Sequence, residues 1–182
     1  MKIACLGWGS LIWDTRELPI QGQWFQDGPL APVEFRRQSG DGRITLVLDP
    51  EAAPVRLLWG HMQSTDLKGA KRALANREGL TAKDWEKYIG AWHAGEPTPS
   101  TILDLSDWAK ARGLEAVIWT ALEPKLDTVS SPSVEQIIDY LRSLTGPKRD
   151  LAERYIRSTP RQIGTAYRHQ IEAALGWSYR PC

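Results

Sequence analysis

Two short segments of the chain carry residue types that could do chemistry. The first is the glycine-rich segment Gly7-Trp8-Gly9-Ser10-Leu11, which follows an apolar run typical of a strand. Glycines directly after a strand let backbone N–H groups point the same way, and the resulting concavity suits a carboxylate or a phosphate. A structural tight turn explains the same residues equally well. The segment is therefore a candidate anion-binding loop, with a plain turn as the alternative.

The second segment is Arg77-Glu78-Gly79, at the predicted end of a helix. A carboxylate there faces the negative end of the helix dipole, so it holds its proton more readily. This placement suits proton transfer but does not require it, and a solvated glutamate is the alternative. A further pair, Arg36-Arg37, lies in a predicted strand, where adjacent side chains point to opposite faces. At most one of these two arginines can therefore reach a site on the inner face.

Motifs for other kinds of catalysis do not occur in the sequence. A dinucleotide fingerprint fails because Ile12 occupies its third glycine position, and no Gly-Lys-Ser/Thr of a P-loop is present. Neither G-x-S-x-G nor H-E-x-x-H occurs. His61, His93 and His169 lack the spacing of metal ligands. We therefore expect neither a metal nor a cofactor.

The elements that must position these residues are strands early in the chain and helices after residue 64. Strands are predicted over 3–6, 33–38, 43–48, 55–62 and 114–122, with a hairpin turn at 39–42. Helices are predicted from a Ser64 or Thr65 cap to Gly79, after Thr81 through Trp92, and over 102–112, 134–144 and 151–156, with a last helix opened by Thr159-Pro160. This layout indicates an α+β fold, and the length fits a single domain over 1–182.

Composition excludes several classes of function. The 182 residues (20.5 kDa) carry 23 Lys plus Arg against 22 Asp plus Glu, a net charge of +1. That balance argues against a broad nucleic-acid footprint, and no apolar run has the length of a membrane span. We see no signal peptide, and the two cysteines, Cys5 and Cys182, are too few for a disulfide framework, so a cytoplasmic location is expected.

Tryptophan is unusually abundant, with nine residues against two phenylalanines. Trp59 and Trp119 fall in predicted strands and are expected in the core. Trp85, Trp92 and Trp108 fall in 81–113, where they are expected to cluster as a small core or a lid. Trp8 is a candidate for the wall of a pocket.

Four segments together resemble the γ-glutamylcyclotransferase superfamily, most closely its glutathione-specific ChaC branch. The loop with its flank, G-W-G-S-L-I-W, resembles the branch's G-Y-G-S-L-I-W, and F-R-R followed by G-R and L-V-L resembles its Arg-Arg-Phe strand and hairpin. The stretch from L-L-W-G through a helix to R-E-G resembles the family's strand, helix and Arg-Glu-x-Gly-Gly. The run from P-x-V-E through G-P to E-x-Y resembles its penultimate helix, Gly-Pro break and following tyrosine.

The resemblance implies a mixed β-barrel or sheet flanked by helices, with 81–113 as a helical insertion. It implies a cofactor-independent enzyme that releases 5-oxoproline from glutathione or another γ-glutamyl compound, with Glu78 as the general acid and base. It implies that the γ-glutamyl end is held by Gly7, Trp8, Gly9, Ser10 and Leu11. It further implies that Tyr155 forms a hydrogen bond with the substrate and that one of Arg36 and Arg37, preferably Arg37, helps with a carboxylate.

The sequence departs from the family pattern at three places. Trp8 replaces a tyrosine, Gly79 is followed by Leu80-Thr81 where the family has a second glycine and a tyrosine, and 81–113 is extra. Two other functions therefore stay open. One is a non-catalytic ligand-binding domain that keeps the fold, and the other is an interaction module whose tryptophan-bearing insertion contacts a partner.

Overall fold

Strands dominate the first half of the chain and helices the second half in the computed structural model, which describes residues 1–180. The strands are β1 Ile3–Gly7, β2 Ile20–Phe25, β3 Leu30–Gln38, β4 Ile44–Leu48, β5 Pro54–Arg56, β6 Leu58–Met62, β7 Ile89–His93 and β8 Ala116–Thr120. The helices are α1 Leu67–Arg77, α2 Trp85–Tyr88, α3 Leu105–Ala111, α4 Val134–Ser143, α5 Gly146–Ser158 and α6 Ala166–Leu175. This content confirms the predicted α+β class.

The contacts along the chain divide the molecule into two interleaved units. The first unit comprises 1–7, 14–31 and 56–122, and the second comprises 8–13, 32–55 and the described residues from 123 onward. Because the chain passes between them repeatedly, each unit is assembled from three separate segments.

The first unit is built on a five-stranded sheet with the order β2-β6-β1-β8-β7. Its central strand β1 is antiparallel to β6 and parallel to β8, and Cys5 lies opposite both Gly60 and Ile118. Every residue of β1 is buried, which explains why the strand is a continuous apolar run without alternation. Helix α1 packs against β7 and β8.

The second unit contains most of a three-stranded sheet with the order β4-β3-β5. Strands β3 and β4 form the predicted antiparallel hairpin, with a register shift between Phe35 and Arg37. Helix α5 packs against β4, and α4 packs against α6.

The helix that precedes the predicted catalytic glutamate is capped one residue after Thr65 and two residues after Ser64. The N-cap is Asp66, whose carboxylate accepts a hydrogen bond from the Gly69 amide at 2.7 Å, so the expectation of Ser64 or Thr65 was wrong. The helix ends at Arg77 with Glu78 as its C-cap, and Gly79 follows with a positive φ of 69°. The predicted end of this helix is confirmed.

The prediction of a helix after Thr81 through Trp92 was wrong, whereas the helix predicted over 102–112 is present as α3. Helix α2 has only four residues, and Ile89–His93 forms the edge strand β7, antiparallel to β8. The spacing of Trp85, Tyr88, Ile89 and Trp92 imitates a helix, but pairing with β8 satisfies the backbone of this segment. Gly90 permits the pairing, because a Cβ there would lie 2.3 Å from the indole of Trp119.

The three tryptophans of 81–113 contact different partners. The indole of Trp85 lies under Lys71 of α1, 5.6 Å from the ammonium. Trp92 donates its indole N–H to the Glu96 carbonyl at 3.0 Å, and Trp108 packs edge-on against Trp59. Trp59 and Trp119, which were expected in the core, are both buried.

Several other boundaries differ from expectation. Strand β2 lies where a connection was expected, and the predicted strand 55–62 is two strands, β5 and β6, in different sheets. Helix α5 begins at the Gly-Pro that was expected to separate two helices, because proline is compatible with a first helical turn. Thr159 ends α5, so the last helix begins at a different cap, Thr165.

No helix within residues 1–180 is long and apolar enough to cross a membrane. Cys5 is a buried free thiol, and Cys182 lies outside the described residues.

Candidate functional site

Glu78 lies in the first unit, at the C-terminal end of α1, as an ion-paired and largely buried carboxylate. Its side chain is 17% exposed, and its Oε1 accepts a hydrogen bond from Arg77 Nη1 at 3.0 Å. Arg77 is itself only 5% exposed, and its Nη2 donates to the Asp14 carbonyl at 2.6 Å. Arg16 donates to the Arg77 carbonyl at 3.3 Å. Arg77 therefore links the Glu78 carboxylate to the Asp14 carbonyl and fixes its position. An exposed glutamate would lack such a link.

The Arg77–Glu78 pair lies close enough to β1 for its charges to shift the pKa of the Cys5 thiol. Burial raises the pKa of Cys5 far above its usual range, the charge of Glu78 raises it further, and the charge of Arg77 lowers it. The thiol is therefore an inert apolar side chain and not a nucleophile. Two residues after Cys5, Gly7 ends β1, pairs with Leu58 and leads the chain into the glycine-rich loop.

The loop itself belongs to the second unit from Trp8 onward. Trp8 is buried, and its indole N–H donates to the Leu46 carbonyl of β4 at 3.2 Å. The Ile12 amide donates to the Gly9 carbonyl at 3.0 Å and closes a tight turn. Ser10 is half-buried and Leu11 is buried. The structural role of the turn is thus present, and the anion-binding role of the same residues stays a prediction.

Gly9 lies directly against the hydroxyl of Tyr155, another residue of the predicted site. A Cβ on Gly9 would lie 2.3 Å from Tyr155 Oη, far inside van der Waals contact. The same hydroxyl accepts a long hydrogen bond of 3.4 Å from the Leu46 amide. The glycine loop, β4 and α5 therefore meet at one tyrosine, which joins three of the four segments that carry the family resemblance.

Three further side chains surround the Tyr155 ring. Trp13 and Phe35 meet it edge-on, with ring centroids 5.3 Å and 6.3 Å away. The guanidinium of Arg43 lies over its face, 5.4 Å from the centroid. Tyr155 is therefore held on several sides, and its hydroxyl is fixed beside the loop.

The two arginines of β3 have different partners. Arg36 is 12% exposed and its Nη1 lies 2.8 Å from Asp49 and 2.6 Å from Glu51. Burial would lower its pKa, but hydrogen bonds to Glu51 and Tyr167 and the charge of Asp49 raise it above the usual range. Arg37 donates to the Glu123 carbonyl at 2.7 Å. The guanidinium of Arg36 is thus engaged by other side chains of the protein, and that of Arg37 donates to a backbone carbonyl.

A buried carboxylate in the same strand was missed by the sequence reasoning. Glu34 is 2% exposed and accepts hydrogen bonds from the Thr165 hydroxyl and from the Phe35 and Tyr167 amides. Burial raises its pKa, and these hydrogen bonds oppose the rise. A lone glutamate inside an apolar strand was the available signal. Its contacts attach the N-terminal end of α6 to β3, so its role is structural.

Two tryptophans of the first unit, Trp59 and Trp108, share hydrogen bonds with one aspartate. Asp27 accepts the indole N–H of Trp59 on its carboxylate and that of Trp108 on its carbonyl, both at 2.8 Å. Arg112 binds the same carboxylate at 2.6 Å. The hydrogen bond from Trp59, followed by that from Arg112, lowers the pKa of Asp27. The polar atoms of this group are therefore satisfied by one another, which indicates a packing role.

The sequence reasoning also passed over Arg43 and Leu46. Both lie in the segment after the hairpin turn that contributed to the resemblance, but neither carried a role. Leu46 acts through its backbone, which side-chain identity does not reveal. Arg43 contacts Tyr155 only because α5 packs against β4.

Within residues 1–180 no group of three or more His, Cys, Asp or Glu side chains is arranged to hold a metal ion. Comparison with models of known protein families and with curated protein sequences gives no match.

Proposed function

We propose that this chain is a γ-glutamylcyclotransferase-like enzyme that releases 5-oxoproline from glutathione or another γ-glutamyl compound. The observation that carries the proposal is the state of Glu78. It is a largely buried carboxylate, paired with Arg77 at 3.0 Å. Its charge raises the pKa of Cys5 in β1, the strand that leads into the glycine-rich loop. A solvated glutamate, the alternative weighed from the sequence, would show neither the burial nor the fixed partner.

The reaction is an intramolecular aminolysis. The α-amine of the glutamyl group attacks the γ-carbonyl carbon, a new C–N bond closes the five-membered ring, and the original γ-amide C–N bond breaks. Glu78 accepts a proton from the amine and returns a proton to the leaving nitrogen, so that 5-oxoproline and a free amine are formed. Because nucleophile and electrophile belong to one molecule, the chemistry needs a folded substrate, a base and donors for the oxyanion.

The second unit supplies features that suit the holding of a substrate. The turn over 9–12 lies beside the Tyr155 hydroxyl, and Gly9 allows that approach. In the proposal, Gly7, Trp8, Gly9, Ser10 and Leu11 hold the γ-glutamyl end. Tyr155 donates a hydrogen bond to the substrate. Trp8 lacks the hydroxyl of the family's tyrosine and donates to the Leu46 carbonyl, so it contributes surface and not a hydrogen bond to substrate.

The proposal is tested by the variant Glu78→Gln with a panel of γ-glutamyl compounds: glutathione, γ-glutamyl dipeptides and γ-glutamyl amines. We expect wild-type protein to release 5-oxoproline from at least one of them. We expect Glu78→Gln to lose at least about 100-fold in kcat, since general acid–base catalysis contributes about 10²- to 10⁴-fold. The measurement is 5-oxoproline quantified by chromatography.

Glu86→Gln is the matched control, because Glu86 is an exposed glutamate of α2 in the same unit and loses the same charge. It should keep wild-type turnover, and both variants should keep the wild-type unfolding temperature. Undiminished turnover in Glu78→Gln would remove Glu78 from the mechanism. A wild-type protein that binds γ-glutamyl compounds in calorimetry but releases no 5-oxoproline would favour the ligand-binding domain instead.

A further inference from the structure

Arg43 combines a fixed position with donors that the protein leaves uncommitted. It lies at the end of the hairpin turn, where its carbonyl accepts hydrogen bonds from the Ser39 amide at 2.9 Å and the Ser39 hydroxyl at 3.1 Å. Its Nε donates to Asp41, with oxygens at 2.9 Å and 2.8 Å. Within residues 1–180 its two terminal nitrogens, Nη1 and Nη2, have no hydrogen-bond partner.

Asp41 acts as a persistent anchor for this guanidinium. Burial would raise the pKa of Asp41, but hydrogen bonds from Arg43 and Ser39 outweigh it and lower the pKa. The carboxylate is therefore ionised near neutral pH and holds the Nε edge of the guanidinium. The two terminal nitrogens together can bind a carboxylate through two parallel hydrogen bonds.

The Tyr155 ring fixes the plane of the same guanidinium. Arg43 stacks over this ring at 5.4 Å, and the Tyr155 hydroxyl lies against Gly9 of the glycine-rich loop. The side chain of Arg43 is 24% exposed, so part of it is open to solvent. The arginine therefore contacts the ring of the same tyrosine whose hydroxyl lies against the loop.

The arginines that the sequence favoured offer less. All three guanidinium nitrogens of Arg36 are engaged, by Asp49, Glu51, Ser131 and Tyr167. Arg37 directs Nη1 to the Glu123 carbonyl. The guanidinium of Arg36 lies over the Tyr167 ring, whereas that of Arg43 lies over the Tyr155 ring.

We propose that Arg43 binds the α-carboxylate of the glutamyl group of the substrate. The identity of the substrate rests on the proposed function, while the carboxylate specificity rests on the geometry of Arg43, Asp41 and Tyr155. An anchored fork loses little side-chain freedom on binding, so it favours an anionic ligand over a neutral analogue of the same shape. The site thus selects compounds whose glutamyl α-carboxylate is free.

The test compares a γ-glutamyl dipeptide with its analogue in which the glutamyl α-carboxylate is a carboxamide. In wild-type protein we expect the carboxylate form to have a kcat/KM about 10- to 100-fold higher, as for a charge-assisted hydrogen bond. Arg43→Gln should lower kcat/KM for the carboxylate form by a similar factor and leave the carboxamide form unchanged. Arg43→Lys, which keeps the charge but loses the fork, should be intermediate and also serves if Arg43→Gln does not fold.

Arg142→Gln is the matched control, since Arg142 is an exposed arginine of α4 in the same unit. It should keep the wild-type preference. Calorimetric binding of 5-oxoproline and 5-oxoprolinamide adds a readout that does not need turnover.

The outcomes distinguish the failure of the proposed reaction from the failure of the role of Arg43. Arg43-dependent binding of 5-oxoproline without turnover would reject the proposed reaction and keep the role of Arg43. Turnover with the same carboxylate preference in wild type and in both Arg43 variants would reject the role of Arg43 and keep the reaction. A folded protein with neither turnover nor binding would reject both.

Discussion

Gly9 is a position in the predicted substrate loop at which an added side chain would clash with Tyr155. A Cβ there would lie 2.3 Å from the Tyr155 hydroxyl oxygen and 3.3 Å from the ring carbon that carries it. Removing the hydroxyl relieves the closer of these contacts. Gly9 and Tyr155 should therefore be coupled energetically, as neighbours in contact are.

We expect Gly9→Ala to destabilise the protein by about 1–3 kcal/mol, the usual cost of overpacking. In a Tyr155→Phe background the additional cost of Gly9→Ala should fall to well below that in wild type. Urea unfolding followed by tryptophan fluorescence measures both. Gly40→Ala is the control, because no atom lies within 4 Å of a Cβ at Gly40. Equal costs of Gly9→Ala in the two backgrounds would contradict the contact.

At this scale the sequence reached the identity of the candidate residues but not their partners. Glu78 and the 7–11 loop came from local pattern and resemblance, and their catalytic and binding roles stay predictions. The sequence could not reveal the position of the Arg43 guanidinium, since it depends on Tyr155 from a distant helix. Glu34 was missed for the same reason, because its hydrogen-bond partners Thr165 and Tyr167 lie far along the chain.

Helix α1 is the element that carries Arg77 and Glu78, so its start is the natural place to test how well the element is anchored. Asp66 accepts the Gly69 amide at 2.7 Å and adds a negative charge at the positive end of the helix dipole. We expect Asp66→Ala to cost about 1 kcal/mol of unfolding free energy. Chemical denaturation at neutral pH measures the loss.

Ser64→Ala and Thr65→Ala serve as the matched controls for this prediction. They remove the two caps that the sequence suggested, and each should change stability by less than about 0.5 kcal/mol. A loss in either of them equal to that in Asp66→Ala would move the cap back to that residue.

The elements that were predicted correctly have strong local signals. The β3–β4 hairpin has apolar runs on both sides of a Ser-Gly-Asp-Gly turn, and α1 with its C-cap is followed by Gly79, which has a positive φ. The failure at 89–93 has the opposite cause. Its apolar spacing fits a helix locally, but strand β8 offers a pairing edge that only the folded chain provides. The same reason explains the division of 55–62 between two sheets.

The interleaving of the two units makes a prediction for the whole molecule. The part of the second unit that follows residue 122 includes α4, α5 and α6, but α5 packs against β4, and α6 is attached to Glu34 of β3. A fragment beginning at Glu123 lacks both strands. We therefore expect it to have little cooperative structure on its own, because the apolar faces of its helices have no sheet to cover.

Circular dichroism and thermal unfolding of this fragment measure the effect. The control is co-expression with the complementary fragment that ends at Leu122, which should restore helicity and a cooperative transition. A cooperative thermal transition in the isolated fragment would mean that its helices form a core without the strands.

The sequence by itself determined the α+β class, the first apolar strand, the hairpin and the helix that Glu78 caps. Each depends on neighbouring residues, through apolar runs, turn residues and capping. Only the tertiary structure decided that Gly9 meets Tyr155, that Arg43 stacks on the same ring and that Arg77 holds Glu78 beside β1. These arrangements join residues that are distant in sequence, or depend on which atoms burial leaves within reach. Local patterns record neither.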